Sequence, residues 1–276
     1  MTTLSNANFG YVRDLLKEHA AIVLEEEKAY LIESRLSAIA KREGVGSVAD
    51  LVSHLERQAF GQVHGQVIDA LTTNETSWFR DLHPFHALRD HVVPELMSTR
   101  SAERSIAFWS AACSTGQEPY TVAMLLLDHF PQLVGGWKVR LLASDISKTA
   151  VDRARAGRYA LLEINRGLPA PMLVKHFRQD GPYWRVSDQL RQMVQFGIVN
   201  LAAPWPPLPT LDVVLLRNVM IYFDIETKRS ILAKVRRVLH PDGLLFLGSA
   251  ETTINIDDAF ERVQLGKATV YRLRRS

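Results

Sequence analysis

The sequence predicts an α/β protein: a small N-terminal helical bundle, then a doubly wound parallel sheet with an inserted antiparallel β-subdomain. Three observations indicate this fold class. Apolar residues recur at helical spacing within residues 1–75, short apolar runs alternate with amphipathic helices from residue 105 onward, and a Gly- and Pro-rich stretch over residues 157–192 interrupts that alternation. The 276 residues include one cysteine and are 47% hydrophobic and 23% charged, which excludes a disordered chain and a disulfide-stapled domain.

The first part of the chain, residues 1–75, is expected to be an N-terminal helical domain, followed by a linker helix over residues 76–104. Two successive helices place apolar residues on one face, namely Phe9, Val12, Leu15 and Leu16 in the first and Leu31, Leu36 and Ile39 in the second. Because such short helices are not stable alone, we expect them to pack as a bundle.

The remainder, residues 105–276, is expected to form the parallel sheet. Its predicted strands are Ile106–Ala111, Val139–Ala143, Val194–Val199, Val213–Leu216 and Leu244–Leu247, with Ala268–Leu273 as a last strand at the sheet edge. The pattern predicts helices at Pro119–Phe130, Ser147–Ala156 and Ile225–Leu239, and a turn at His240–Gly243. The 157–192 stretch is too long for an ordinary loop, and we interpret it as the inserted β-subdomain.

Charge is unevenly distributed along the chain. The formal net charge is +3, but residues 1–80 carry 8 basic and 11 acidic side chains, whereas residues 148–191 carry 9 basic and 4 acidic ones. A basic stretch of this kind is compatible with an acidic protein partner, with nucleic acid or with a solvated surface.

Polar residues come directly after the first two predicted strands, which is where open α/β sheets bind ligands. After the first strand, small side chains around Gly116 would let a ligand approach the backbone, but one glycine does not match a dinucleotide fingerprint. Glu118 would repel a phosphate there and suit a cation. Asp145 ends the second strand, where a carboxylate suits ribose hydroxyls. The structural alternatives are a tight turn and a helix N-cap.

Two further motifs carry polar residues. The run from Leu211 to Asp224 would deliver Arg217, Asn218 and Tyr222 to the same edge of the sheet, although a strand exit with a surface tyrosine has the same pattern. The other motif is TTNETSWFR, which joins the helical region to the sheet. By themselves its Asn and Thr residues would cap a helix beginning near Ser77.

In combination these motifs are specific. In order they are TTNETSWFR, WSAACSTGQEPYTVAM, LLASDIS, the pair Asn200-Leu201, and LLRNVMIYFD. From Phe9 to Leu273 the chain resembles the CheR family, S-adenosylmethionine-dependent methyltransferases that esterify glutamate side chains of bacterial chemoreceptors. The resemblance implies a Rossmann-like class I methyltransferase domain behind the helical domain.

The resemblance also implies roles for individual residues. The implied cofactor-binding residues are Asn74, Thr76, Arg80, Glu118, Asp145, Asn200, Leu201, Arg217 and Asn218. Glu118 would approach the methionine moiety and Asp145 the ribose, whereas Asn200 and Leu201 would surround the adenine. Tyr222, near the transferred methyl group, and Arg80 are the implied catalytic residues. The products would be a glutamate methyl ester and S-adenosylhomocysteine, with no metal involved.

The chain departs from the family pattern in the β-subdomain. The loop around Gly181 is short compared with relatives that dock on a receptor C-terminal pentapeptide, so we expect recognition without that pentapeptide. The N-terminal helix that is strongly basic in relatives here offers Arg35, Lys41 and Arg42 but also Glu33 and Glu43. We therefore expect recognition to depend on the basic β-subdomain.

The implied reaction needs no general base, because a glutamate is already ionised at pH 7. Two alternatives are a nucleic-acid methyltransferase, motivated by the pI of 9.0, and a catalytically silent cofactor-binding scaffold. Few aromatic residues in the basic stretch argue against the first, and the intact motif residues argue against the second. Without a secretory leader or a long apolar run, the chain is expected to be a cytoplasmic monomer that acts on chemoreceptor methylation helices, with neither nucleic acid nor membrane insertion.

Overall fold

The computed structural model describes residues Ser5–Arg274. The chain divides into two compact units. The first comprises the residues up to Thr73 together with Tyr222–Thr227, and the second comprises Asn74–Ile221 and the residues from Lys228 onward. Each unit is described by itself below.

The first unit is helical, as the sequence predicts. Its helices are α1 (Asn6–Ala20), α2 (Ala29–Arg42), α3 (Val48–Leu55) and α4 (Gln62–Leu71), with a short 3-10 turn at Glu26–Lys28. Ser5 and Ser47 cap α1 and α3 by accepting backbone N–H groups three residues on. Arg35 of α2 donates hydrogen bonds to the Leu71 and Thr72 carbonyls, at 2.9 and 3.0 Å, and so ties α2 to the end of α4.

The second unit is built on a seven-stranded sheet. Its strands are β1 (Ser105–Ser110), β2 (Lys138–Asp145), β6 (Val194–Ile198), β7 (Leu211–Leu216), β8 (Leu239–Leu247), β9 (Phe260–Leu265) and β10 (Ala268–Leu273), in the spatial order β6-β2-β1-β7-β8-β10-β9. The first five of these are parallel, and β10 and β9 are antiparallel additions. The chain order reverses between β1 and β7, and ligands of such sheets bind in the crevice at that reversal.

Two details of the predicted sheet are wrong. The strand at Ala268–Leu273 does not form the edge, because β9 pairs outside it. Burial alternates along β9, which carries Glu261 and Arg262, so its apolar signal is weak. The expected turn at His240–Gly243 belongs to β8, where the pairing with β7 shifts register between Leu211 and Val213.

Helices flank this sheet and connect its strands. They are α5 (His83–Ala87), a π-helical turn (Leu88–Val92), α6 (Val93–Thr99), α7 (Gln117–His129), α8 (Pro131–Gly136), α9 (Lys148–Ala156), α12 (Asp188–Met193) and α13 (Ile225–Val238). No helix begins near Ser77, and the expected linker helix over 76–104 is helical only from His83 to Thr99. Phe79, Asp81 and Leu82 have positive φ angles of 49°, 66° and 48°, a conformation that a right-handed α-helix cannot contain.

The stretch 157–192 forms a separate small antiparallel sheet, as predicted. Its strands are β3 (Arg158–Ala160), β4 (Phe177–Asp180) and β5 (Tyr183–Val186), in the order β3-β5-β4, with short helices α10 (Leu161–Ile164) and α11 (Ala170–His176) between β3 and β4. The fully buried Trp78 ring meets Tyr159 and Phe177 edge-on, with centroids 4.9 and 5.3 Å apart. These contacts hold the segment that precedes α5 against the β-subdomain.

Candidate cofactor site at the carboxyl edge of the sheet

Four neighbouring strands end at one edge of the large sheet and deliver most of the predicted site residues there. Asn200 and Leu201 follow β6, and Asp145 is the last residue of β2. The turn after β1 leads to Glu118, and Arg217 and Asn218 follow β7. The backbone ladder continues past the strands, since Val199 N–H donates to the Asp145 carbonyl at 3.0 Å. The edge is therefore a continuous rim of polar groups at the reversal of chain order.

Asp145 is a buried carboxylate whose two oxygens are each oriented by a backbone N–H. Oδ2 accepts from Ser114 at 2.8 Å and Oδ1 accepts from Ser147 at 2.9 Å, and the residue is 7% exposed. Ser147 itself caps α9, so Asp145 is not the cap. Because a carboxylate has about four acceptor positions, an oriented carboxylate of this kind is suited to ligand hydroxyls.

The turn after β1 requires glycine at position 116. Gly116 has φ +95°, and a Cβ there would lie 2.8 Å from the Ala154 Cβ and 3.1 Å from the Tyr159 hydroxyl. That hydroxyl donates to the Thr115 carbonyl at 2.7 Å. Helix α7 starts at Gln117, two residues earlier than predicted. The space that a side chain would occupy is taken by Ala154 and by the Tyr159 hydroxyl, so glycine at this position allows the turn to pack closely against its neighbours.

Glu118 and Arg217 join the end of β1 to the end of β7. Arg217 donates from Nη1 to Glu118 at 2.7 Å and from Nη2 to the Asp81 carboxylate at 2.8 Å. Ser110 donates to the other Glu118 oxygen at 2.7 Å. The Arg217 side chain is 1% exposed, and within the described residues its Nε has no hydrogen-bond partner. The Arg217 guanidinium is therefore a cation from within the chain that pairs with Glu118.

The segment before α5 is tied to the same rim. Ser114 Oγ donates to the Asn74 carbonyl at 2.8 Å, and Asn74 Nδ2 donates to Ser147 Oγ at 3.4 Å. The Arg80 carbonyl accepts from Arg217 Nη2 at 2.8 Å, whereas the Arg80 guanidinium donates to the Glu75 carbonyl at 3.1 Å. Thr76 is half-buried on this segment. Asn74 thus joins the strand-end residues through its carbonyl and its side chain, whereas Arg80 joins them through its carbonyl alone.

Asn200 and Leu201 lie beside an aromatic wall. Asn200 Oδ1 accepts the Ala202 N–H at 2.9 Å, and the Leu201 carbonyl accepts from Trp205 Nε1 at 3.1 Å and from the Lys234 ammonium. The Trp205 ring meets Trp109 edge-on at 4.8 Å. Burial lowers the pKa of Lys234, which lies over the Trp205 ring at 5.1 Å.

Sequence reasoning missed Asp81, Trp205, Lys234 and Glu251 among the residues that shape this edge. The sequence does carry a signal for two of them. Asp81 directly follows the TTNETSWFR motif, and Glu251 lies after β8, where a polar residue at a strand end again indicates a site. Glu251 accepts the Asn218 N–H at 2.7 Å. Trp205 and Lys234 have no comparable signal in the sequence.

Tyr222 belongs to the segment that groups with the N-terminal helices. It is half-buried there, and its carbonyl accepts the Val23 N–H at 2.9 Å. In contrast to the residues above, it is not part of the compact unit that contains the strand ends.

The part of the chain that the structure describes was also searched for a metal site, a reactive thiol and a membrane-spanning helix. Residues 5–274 contain no group of three or more His, Cys, Asp or Glu that could hold a metal ion. Burial raises the pKa of the Cys113 thiol well above its ordinary value, which is the reverse of what a nucleophilic thiolate needs. None of the described helices is both long and apolar enough to span a bilayer.

Comparison with known proteins decides the family. The model for the CheR methyltransferase SAM-binding domain matches residues 74–269, and that for the CheR methyltransferase all-alpha domain matches residues 7–72. The chain belongs to the CheR methyltransferase family. Both the helical and the sheet-containing part of the chain are therefore covered, and the resemblance noted from the motifs is confirmed.

Curated relatives of the CheR family match along nearly their whole length. Chemotaxis protein methyltransferase 1 of Pseudomonas aeruginosa is 38% identical over 98% of this chain and 99% of its own. Chemotaxis protein methyltransferase Cher2 of Pseudomonas putida is 36% identical over 98% of both chains. The chemotaxis protein methyltransferase of Vibrio parahaemolyticus is 34% identical over 99% of this chain and 98% of its own.

The chain thus belongs to a family of chemotaxis methyltransferases with a domain that binds S-adenosylmethionine. The strand-end residues fit such a ligand. Asp145 presents an oriented carboxylate for hydroxyls, and Arg217 Nε is a buried donor without a partner in the described residues.

Proposed function

We propose that this CheR-family chain transfers a methyl group from S-adenosylmethionine to glutamate side chains of chemoreceptors. The observation that carries the proposal is the row of polar groups at the ends of β6, β2, β1 and β7, in a chain of which 98% matches a chemotaxis protein methyltransferase. The substrate would be the acidic methylation helices of the receptor's cytoplasmic part.

The cofactor would be held from both sides of the sheet reversal. Asp145 would accept from the ribose hydroxyls, and Asn200 with Leu201 would border the adenine. Arg217 and Glu118, paired at 2.7 Å, would lie at the methionine end together with Asn218. Asn74, Thr76 and Arg80 would contribute from the segment before α5. When bound, S-adenosylmethionine would supply an electrophilic methyl group: a new bond from the substrate carboxylate oxygen to the methyl carbon would form in line as the carbon–sulfur bond breaks, with S-adenosylhomocysteine as the leaving group.

The chain's own contribution is orientation and exclusion of water, because the substrate carboxylate is already ionised. No base has to remove a proton. Tyr222 would orient the substrate carboxylate through its hydroxyl, and Arg80 would lie beside the reacting groups. Buried charges such as Arg217 and Glu118 act strongly because little water screens them.

Receptor recognition would be electrostatic and would use the β-subdomain. Arg158 of β3, Arg185 of β5 and Arg178 of β4 occupy paired positions across the three strands, and all three are exposed. Asp180 lies 2.8 Å from Arg158 and Asp188 lies 3.7 Å from Arg185, but both ion pairs are exposed and therefore weak, so an acidic partner would be able to compete for these arginines. Arg35 of the N-terminal helix is instead committed to the Leu71 and Thr72 carbonyls at the end of α4.

A receptor tail pentapeptide would not be needed. β4 and β5 are joined by only Gly181 and Pro182, and Asp180 pairs directly with Tyr183. This two-residue turn supplies no extended loop against which a tail segment could lie.

The deciding experiment measures methyl transfer from labelled S-adenosylmethionine to purified receptor cytoplasmic fragments, with and without the C-terminal tail, and to RNA. We expect label on both receptor fragments at similar rates, released as methanol by mild alkali because carboxyl methyl esters hydrolyse there. Label on RNA, or alkali-stable label, would contradict the glutamate substrate. Methylation only of the tailed fragment, or micromolar binding of a free tail pentapeptide in calorimetry, would contradict tail independence.

A further inference from the structure

Glu251, which lies after β8, binds the backbone of the turn after β7. Oε2 accepts the N–H groups of Asn218 at 2.7 Å and Gly248 at 2.6 Å. Oε1 accepts three more, from Val219 at 2.9 Å, Met220 at 2.7 Å and Ile221 at 3.3 Å. Hydrogen bonds to an ionised acceptor are roughly twice as strong as neutral ones. A single side chain thus satisfies four successive backbone donors of this turn.

The turn needs such support because its first residue is in an unfavourable conformation. Asn218 has φ +57°, in the left-handed region that costs energy for any residue with a side chain. A Cβ at Gly248 would lie 2.6 Å from Asn218 Nδ2 and 2.7 Å from Glu251 Oε2. Asn218 is therefore clamped between the glycine backbone on one side and the Glu251 carboxylate on its N–H.

The same contacts exclude other roles for Glu251. Each of its oxygens already accepts at least two N–H groups at close range, so little acceptor capacity remains for a substrate proton. The described residues around it form no metal-ligand group. Although Glu251 lines a cleft of about 340 Å³, its oxygens are directed at the backbone of the turn.

We infer that Glu251 is a positioning residue for S-adenosylmethionine binding, which acts by holding the Asn218–Ile221 backbone in its bound-state conformation. This inference rests on the proposed function, in which Asn218 contacts the cofactor. Preorganised contacts of this kind matter because a displacement of a binding group by about 1 Å is enough to lose much of its contribution.

The first test is Glu251→Gln, which keeps the size of the side chain and replaces one oxygen by an NH₂ group. In one orientation that NH₂ faces the N–H groups of Asn218 and Gly248, and in the other it faces those of Val219, Met220 and Ile221, so two or three of the five hydrogen bonds are lost. We expect the affinity for S-adenosylhomocysteine, measured by calorimetry, to fall about tenfold. The matched control is Glu103→Gln, an exposed glutamate, which should bind like the wild type.

Two further measurements separate positioning from general stability. A purely structural role would lower the unfolding temperature but leave the affinity unchanged well below it. In an Asn218→Ala background, Glu251→Gln should lower the affinity for S-adenosylhomocysteine by less than about threefold. The reason is that the Asn218 side chain, which Glu251 is inferred to position, is already absent. A full tenfold loss in that background, or wild-type affinity of folded Glu251→Gln, would overturn the inference.

Glu251→Asp keeps the experiment decisive if Glu251→Gln does not fold. It retains the charge but withdraws the carboxylate by one methylene, so we expect an intermediate loss, about threefold to fivefold. Unchanged affinity in this variant would also count against the positioning role. If the wild-type protein itself bound no S-adenosylhomocysteine, the proposed function would fail first and the inference would fall with it.

Discussion

The carboxyl edge of the large sheet and the exposed face of the β-subdomain both depend on arginine, but they use it in opposite ways. At the edge, Arg217 is 1% exposed and is held by Glu118, Asp81 and the Arg80 carbonyl. On the β-subdomain, Arg158 and Arg185 are 45% and 44% exposed, and their ion pairs with Asp180 and Asp188 are exposed as well. An arginine side chain thus fixes the positions of its neighbours at the edge of the sheet, whereas on the β-subdomain it presents its charge to solvent.

The difference results from how well water screens each charge. In a buried network an ion pair is desolvated, so removal of one partner leaves an uncompensated charge and costs about 3–5 kcal/mol. An exposed pair is screened and contributes about 0.2–1 kcal/mol. We therefore expect substitutions at the edge to change stability and cofactor binding, and substitutions on the β-subdomain to change encounter rate and salt sensitivity.

The largest effect is expected for Arg217→Met. It leaves the Glu118 and Asp81 carboxylates without their cation and should destabilise the sheet-containing unit by about 3–5 kcal/mol. Chemical denaturation followed by circular dichroism measures this loss. Arg178→Met is the control, an exposed arginine of β4 that should cost less than about 1 kcal/mol. Similar shifts for the two variants would abolish the contrast between the regions.

Asp145→Ala should mainly affect the cofactor. Loss of a charged acceptor for the ribose hydroxyls is expected to weaken binding by about 1.5–3 kcal/mol, roughly tenfold to a hundredfold. Calorimetry with S-adenosylhomocysteine measures the change. Asp188→Ala removes a carboxylate whose side chain is 75% exposed, and it should leave the affinity unchanged. Wild-type affinity of a folded Asp145→Ala variant would remove Asp145 from the site.

Tyr222→Phe should lower turnover without weakening cofactor binding, because its hydroxyl is assigned to the substrate carboxylate. Loss of one hydrogen bond of about 0.5–1.5 kcal/mol corresponds to a decrease of roughly twofold to tenfold in methylation rate. The rate is measured with cofactor and receptor both saturating. Tyr30→Phe, an exposed tyrosine in the same helical unit, is the control. An unchanged rate for Tyr222→Phe would exclude the hydroxyl from the reaction.

The smallest effect per residue is expected on the β-subdomain. Arg178→Glu combined with Arg185→Glu should slow methylation at limiting receptor, with each site worth about 0.2–1 kcal/mol. High salt should reduce the wild-type rate in the same way, since the Debye length falls from about 10 Å at 0.1 M to about 3 Å at 1 M. Arg104→Glu, an exposed arginine outside this subdomain, tests whether any charge reversal suffices. A rate independent of both salt and the Arg178 and Arg185 changes would refute electrostatic recognition.

Local patterns in the sequence were enough to predict the central architecture. Apolar runs predicted β1, β2, β6 and β7 to within two residues at each end. For β1 and β7 the reason is burial on both faces, which leaves an uninterrupted apolar signal. The break in rhythm over 157–192 located the small antiparallel sheet. The polar residues at the ends of those strands predicted that Asp145 and Arg217 lie at the same edge of the sheet, because the carboxyl ends of parallel strands lie together there.

Contacts between distant residues were decided only by the tertiary structure. Arg217 pairs with Glu118 across 99 positions and with Asp81 across 136, and Glu251 reaches Asn218 across 33. Periodicity reports which face of an element is buried, but it carries no information about strand order. The outer strand β9 was missed for a related reason. Its apolar residues alternate with Glu261, Arg262 and Gln264, so its apolar signal is weak, and it is recognised by its pairing with β10. The sequence by itself determined the elements and the residue types at their ends, and the packing of the sheet determined which of those residues meet.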